Sequence, residues 1–543
     1  MEENMRSKFC YLLIISILFT LPLLANQYRS KASGSWTAAA TWSISTDGGT
    51  TWSDAIDTPG TFANDSVYVR DTHIIVINTT TTVAYIKVGE GTDGILEYDG
   101  IVCTLTVTGD IDILSGASLR GPNAGTVTAG LIVGGNVSNN GTFNMFTGTG
   151  RITDVTFNKN GNQTFSGSGS SIFNKIILNM GTSKANTLDM QAVFSMAQAS
   201  SGATLTLTNG SFKVSSASTI RPFGGSNFTI GSTAGYILNH LSAISQWGNN
   251  SSLIVNGDLM ITDGTMTISS TGGANRLEVG ATGNFSIVTG LLTINGRLVS
   301  NIAGGSVTIT GGTVAIAPGG TVNTASNSIF EIANSTFSMS NGTVSIGSNN
   351  LNATLPDINI NQSGTPITGG TFLITAGASA ATISVSSNVP LYNFEVQNGT
   401  AAVIAQLRNN TLQLHNNLTI TSGTLDANSR NITCGGNWSN GGTFTYTGSI
   451  VTFNGTGSQS ISKSGGENYN HLSVNKTSGT IILLSPVTVN GNLNLTNGIF
   501  DDAGYTVTVK GDISNTASHT GSGKILLNGG SATHTLAGTG SYS

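Results

Sequence analysis

The sequence predicts an all-β chain: a long right-handed parallel β-helix (β-solenoid) of about 20 rungs, closed at its N-terminal end by a tryptophan-rich cap. Three observations carry this reading. Val, Ile and Leu alternate with Thr, Ser and Asn over short stretches, the period-2 pattern of strands with one buried face. Gly and Asn recur between those stretches, where a chain must turn through positive φ. The stretches also repeat, as many short units and as one long one.

Composition narrows the alternatives. Charged residues make up 9% of the 543 positions, against a usual level of about 25%. The 71 glycines and 9 prolines exclude a Pro-rich linker. The 38% hydrophobic fraction, rich in β-branched residues, excludes a disordered chain. A net charge of −5 and the lack of any basic run exclude nucleic acid as a partner, since phosphate recognition needs clustered Lys and Arg. Of the 26 acidic residues, 13 fall between Glu2 and Asp112, which marks the N-terminal segment as a separate module.

The first 25 residues read as a secretory signal peptide. Arg6 and Lys8 precede an apolar stretch from Phe9 to Leu24, and Ala25 supplies a small residue for cleavage. Met5 is the better start, because it removes Glu2 and Glu3 from the basic flank. The stretch holds 16 residues with Pro22 among them, short of the roughly 20 that a spanning helix needs. No cysteine follows it, so a lipoprotein anchor is not indicated, and no later segment reaches transmembrane length. The expected location is therefore extracellular, secreted or at the cell surface.

Residues 26–75 form the expected cap module. Trp36, Trp42 and Trp52 are three of the chain's five tryptophans. They offer either an apolar plug for the first coil or a stacking platform for glycans. The plug is preferred, because an open coil end is an unpaired sheet edge. Asp47, Asp54, Asp57, Asp65 and Asp71 lie in the same stretch and could hold an incidental Ca²⁺, although no calcium-loop repeat is present.

Residues 76–543 are the repetitive solenoid. Residues 155–179 and 451–475 align without a gap, 296 positions apart. Val155, Phe157, Asn158, Gly161, Gln163 and Asn174 match Val451, Phe453, Asn454, Gly457, Gln459 and Asn470. Upstream, Gly134-Gly135-Asn136 corresponds to Gly435-Gly436-Asn437. A shorter unit, two alternating strands separated by Gly or Asn, recurs from Leu105, Leu253, Leu412 and Val487. Three strand-plus-turn steps would close a coil of about 22 residues, each coil burying its apolar side only against its neighbours. Corner asparagines would stack in ladders. Residues 526–543 parallel the start of the long unit, so the sequence is expected to stop mid-repeat, with a C-terminal cap or sorting domain missing.

These features resemble a known group. The Gly-Ser-Trp, Thr-Trp, Pro59-Gly60 and Asn64-Asp65 opening, the V-T-F-N-G-T-G-x-Q unit at Val451 and the V-N-G-N-L coil at Val489 look like large repetitive β-helix proteins exported by the type IX secretion route. Such proteins are similar in architecture to filamentous adhesins. The resemblance covers nearly all of the mature chain and implies export and surface display. It carries over no catalytic residue.

Chemistry is sparse. Between Ile113 and Phe500 stand only 10 acidic residues, placed singly, whereas β-helix lyases and hydrolases gather carboxylates with Arg, Lys or His on one face. The pair Asp501-Asp502 reads as a solvated turn. His73, His240, His415, His471, His519 and His534 are isolated in sequence and form no metal-ligand spacing. Cys103 and Cys434 read as buried rung residues, with Cys10 in the leader. No catalytic, cofactor or metal site is assigned. The Thr204–Thr208 string suggests ice binding, but such strings recur too irregularly for a flat face. The expected function is an exported structural or adhesive rod, non-enzymatic, making weak multivalent contacts with extracellular glycans or cell surfaces. The alternative is a carbohydrate-active enzyme on the same scaffold, recognisable by charged groups converging across neighbouring rungs.

Overall fold

In a computed structural model the chain is a parallel stacked β-solenoid of about 19 turns. The structure describes residues 25–197, 204–223, 227–248, 252–268, 276–319, 322, 327–350, 352, 354–364, 367–529 and 533–542. The expected leader, apart from Ala25, lies outside them. They fall into two compact units, one ending at Phe212 and the other starting at Lys213. Among the described residues there is no α-helix, and no helix long and apolar enough to cross a membrane.

The first unit stacks strands on three faces. One face holds Thr81–Val83, Thr104–Val107, Val127–Val133, Arg151–Phe157 and Lys175–Asn179, all parallel. The second holds Ser66–Val69, Tyr85–Val88, Ile111–Ile113, Val137–Asn139, Gln163–Ser166 and Thr187–Met190. The third runs from Gly34–Ser35 through Ile74–Ile77, Ile95–Tyr98, Ser118–Arg120, Thr142–Asn144 and Ser170–Phe173 to Ser195–Met196. The chain visits the faces in turn, so three strands close one coil as the repeats predict.

Alternation does the sorting. In Thr104–Val107 the apolar Leu105 and Val107 are fully buried while Thr104 and Thr106 are half-buried. Parallel pairing then sets like on like: Leu105 lies over Leu131, and Val107 over Val133. The interior thus becomes columns of aliphatic and aromatic side chains. Phe143, Phe165 and Phe173 meet with centroids 5.1 to 5.2 Å apart, continued by Phe194 at 5.8 Å from Phe173. Edge-to-face and tilted rings of this kind pack the core.

Corners rest on Gly and Asn. Gly116 has φ +83°, and a Cβ there would stand 1.8 Å from the Thr92 carbonyl of the rung below. No side chain fits such a position. The expected asparagine ladders are present. Asn388 Nδ2 donates to Asn361 Oδ1 at 3.0 Å, Asn497 to Asn475 at 2.8 Å and Asn416 to Asn393 at 3.0 Å.

At the N-terminus, Gln27–Ser30 lies parallel to Ser66–Val69 but antiparallel to Trp42–Ser45, which pairs antiparallel with Ser53–Asp54. This ribbon covers an edge that the parallel stack would leave open. Trp36 and Trp42 are fully buried within it, ring centroids 5.4 Å apart. Their indole N–H groups donate to the Pro59 and Trp36 carbonyls, both at 2.9 Å.

The second unit repeats the plan. One face is a ten-stranded parallel sheet from Phe228–Ile230 to Thr443–Thr445; a four-stranded sheet runs from Glu467–Tyr469 to Lys524–Leu527. Rung length is uneven. Vertical neighbours are 18 residues apart at Thr506 and Lys524 but 32 apart at Leu298 and Phe330. Parallel pairing holds across both intervals.

Candidate functional site: a polar cleft on the ten-stranded face

Three acidic residues that stand singly in the sequence share one face, on rungs that are not adjacent. On the ten-stranded sheet the strands Arg276–Val279, Arg297–Ser300, Phe330–Ala333, Ile358–Asn361, Ala381–Ser387, Val403–Leu407 and Thr424–Asp426 follow one another. Their outward positions bring Glu278, Glu331 and Asp426 onto the same side. Asp357 and Arg408 flank the strands of that sheet. Stacking sets residues about one rung length apart in vertical register, as it does for Gln406 and Asp426.

Within this face lies a cleft of about 380 Å³, lined by Asn349, Asn350, Asn352, Asp357, Thr382, Ser384, Gln406 and Arg408. In it Asn349, Asn350, Asn352 and Asp357, which precede Ile358–Asn361, stand against Thr382, Ser384, Gln406 and Arg408 of the next two rungs. In Ala381–Ser387 the inward Ile383 and Val385 are buried by the core, as alternation requires. The outward Ser384 and Ser386 are buried as well, at 6% and 3% exposure, because this corner covers them.

Asp357 holds the corner down and is 3% exposed. Its carbonyl accepts from Ile329 N and Phe330 N of the rung below, at 2.8 and 3.0 Å. Its carboxylate accepts from Ser384 N and Ser384 Oγ of the rung above, at 2.6 and 2.7 Å, and from Asn350 N. Burial pushes its pKa above the ordinary aspartate value, against the lowering effect of these donors and of Arg408. Arg408 Nη1 donates to the Leu355 carbonyl at 3.1 Å. Gln406 Nε2 donates to Asp426 Oδ2 at 2.9 Å. Asp357, Ser384, Gln406 and Asp426 therefore form a polar line across four rungs, with Arg408 beside it. A second cleft of about 370 Å³ on the same unit is lined by Asn334, Ser335, Thr336, Asn361, Gln362, Ser363 and Asn388.

The tryptophan trio divides. Trp36 and Trp42 are fully buried and have no face for a sugar ring, which corrects the platform expectation for both. Trp52 is half-buried, and the Arg29 guanidinium covers one of its faces at 4.4 Å from the ring centroid. The cap aspartates are engaged separately. Asp47 accepts from Ser45, Thr50 and Thr51, which hold its carboxyl below the usual range. Asp71 accepts from the backbone of Glu90 and Thr92. Asp57 accepts from Tyr28 at 2.7 Å, Asp65 from Gly60 N at 3.0 Å, and Asp54 pairs with Lys31 at 2.6 Å. Among the described residues no three of His, Cys, Asp or Glu stand together as metal ligands.

Asp502 corrects a second expectation. It is fully buried and sits 3.0 Å from His519 Nε2, itself 4% exposed; its other oxygen accepts from Gly504 N and Gly523 N at 2.9 and 2.7 Å. Asp501 ends the strand Leu493–Asp501, paired with Ile482 and Thr520 and half-buried, so neither member of the pair is a solvated turn residue, and His519 is not isolated. The sequence signal was the one-rung separation, visible only once the rung length at that point is known. Cys103 and Cys434 are buried free thiols, as expected; burial pushes Cys434 up to about 12. Thr204 is 1% exposed, Thr206 half-buried and Thr208 exposed, so the three threonines of that string are not equally open to solvent. Comparison with protein-family models and with curated proteins finds no match.

Proposed function

We propose that this chain is an exported structural and adhesive element that meets extracellular glycans or cell surfaces through many weak contacts. The observation that carries the reading is the repetition of outward Thr, Ser, Asn and Gln rows on stacked parallel faces. A single such row binds weakly. Presented many times on a rigid scaffold, it gains avidity through effective concentration. The leader and the resemblance to type IX exported β-helix proteins support delivery to the cell exterior. The test is binding of the purified chain, clustered on beads at graded density, to glycan-coated surfaces. Retention rising steeply with density supports adhesion; retention that is nil at every density overturns it.

A second reading has one specific observation in its favour. Asp357 and Arg408 line one cleft, and Asp426 is bonded to its Gln406; a carbohydrate-active enzyme on this scaffold would need charged groups brought together across rungs. The saturated hydrogen bonding of Asp357 argues for a structural carboxylate instead. Incubation with soluble polysaccharides, followed by reducing-end and unsaturated-uronate assays, separates the two readings.

A further inference from the structure

We infer that the Asp357 cleft is a binding site for a neutral saccharide, one of the weak contacts on which the adhesive reading depends. The inference rests on that reading and gives it a location.

Size comes first. A volume of about 380 Å³ lies at the lower end of small-ligand sites, which run from roughly 300 to 1,000 Å³. That room suits one or two sugar rings rather than a peptide segment.

Charge selects within that size. Asp357 contributes a carboxylate and Arg408 a guanidinium, and Asp426 stands just beyond Gln406. Within the lining Arg408 is balanced by Asp357, so the cleft lacks the net positive charge that recognition of a uronate, sulfate or phosphate needs.

The remaining lining selects for hydroxyls. Thr382 is exposed, and Gln406 and Arg408 are half-buried. The hydroxyl and carboxamide both donate and accept, which is what paired sugar hydroxyls require. An apolar ligand would desolvate these groups without replacing their bonds.

The walls are held in place beforehand. Asp357 ties the covering corner to the rung below through its carbonyl and to the rung above through its carboxylate. Asp357, Asn350 and Ser384 therefore need no reordering by a ligand. No aromatic ring stands among the described lining residues, so stacking adds nothing, and affinity per site should be roughly millimolar. Such a site is useful only when many act together.

The experiment uses the full chain and saturation-transfer NMR against two panels, neutral gluco-, manno-, galacto- and xylo-oligosaccharides and acidic uronate or sulfated ones. We expect transfer to at least one neutral ligand. Thr382→Ala and Gln406→Ala, at unchanged melting temperature, should each weaken that binding about fivefold or more. Equal affinity in both variants, or preference for acidic ligands, overturns the assignment. If both variants bind like wild type while the clustered chain still adheres to glycan surfaces, the cleft fails and adhesion stands. If wild type binds no saccharide and no surface, both fall. Shortened oligosaccharides would replace binding by catalysis.

Discussion

The ammonium of Lys476 sits 2.5 Å from the carboxamide oxygen of Gln459, with both side chains buried. The same nitrogen donates to the Gly455 and Gly457 carbonyls at 2.5 and 2.8 Å. Gln459 Nε2 in turn donates to the Cys434 and Gly436 carbonyls of the preceding rung. The matching residues of the earlier repeat, Gln163 with Val133 and Gly135, make the same amide contacts. There Met180 replaces the lysine, and Gln163 Oε1 is buried without a partner. The two copies share a corner and differ in how its acceptors are satisfied.

Removing the charge should expose that difference. Lys476→Met leaves two backbone carbonyls short of a donor and is expected to destabilise by about 1–3 kcal/mol. The check is equilibrium denaturation followed through Trp438 fluorescence. A midpoint equal to wild type would show that the ammonium adds nothing to the corner.

Glu467 gives a dependence on pH. It is 2% exposed, and its Oε2 accepts from Trp438 Nε1 at 2.7 Å and Asn440 Nδ2 at 2.8 Å. Burial raises its pKa above 4.5 in spite of these donors. The folded chain therefore holds the proton more tightly than the unfolded chain. The stability this contributes is complete below pH 4.5 and is lost as pH rises toward the folded value. Glu467→Gln should remove this decline. Melting temperatures measured from pH 4 to 8 check it; parallel curves for the two proteins would refute it.

Of the five tryptophans, Trp36, Trp42, Trp247 and Trp438 are at most 3% exposed. Acrylamide should quench only the emission of Trp52 in the native chain. Trp52→Phe is expected to abolish the quenchable fraction and leave the blue-shifted emission intact. A quenchable component that survives the substitution would contradict the buried positions.

Phe165 lies between Phe143 and Phe173 in the first unit, 5.2 Å from each. Phe165→Ala should cost about 3–5 kcal/mol, the usual effect of emptying an aromatic core site. Each rung touches only its neighbours, so amide exchange should quicken from Val137 to Met190 and stay slow from Leu412 to Asn515. Uniform acceleration across the chain would argue against stacking as the source of stability.

The fold was legible because its two requirements are local. Alternation such as Leu105-Thr106-Val107 fixes which side chains turn inward, and Gly or Asn marks each corner. The Gln163 and Gln459 repeats even place the same amide on the same carbonyls. What stayed hidden depends on vertical distance. In the second unit neighbours stand 18 residues apart at Thr506 and Lys524 and 32 apart at Leu298 and Phe330, so no single offset pairs Asp502 with His519 or sets Gln406 beneath Asp426. The burial of Ser384 was equally hidden, because the segment that covers it has no periodicity of its own. The tryptophans gave a mixed signal, since stacking platforms and plugs use the same residue.

Uneven rung length has a consequence for how this molecule could change over generations. Strands lock to the coil above and below, yet corners lengthen without disturbing them, as the segment carrying Asp357 does. New recognition chemistry can therefore be grafted at a bend and discarded again with little penalty to the stack beneath. A lineage built this way could diversify what it touches far faster than it alters its backbone.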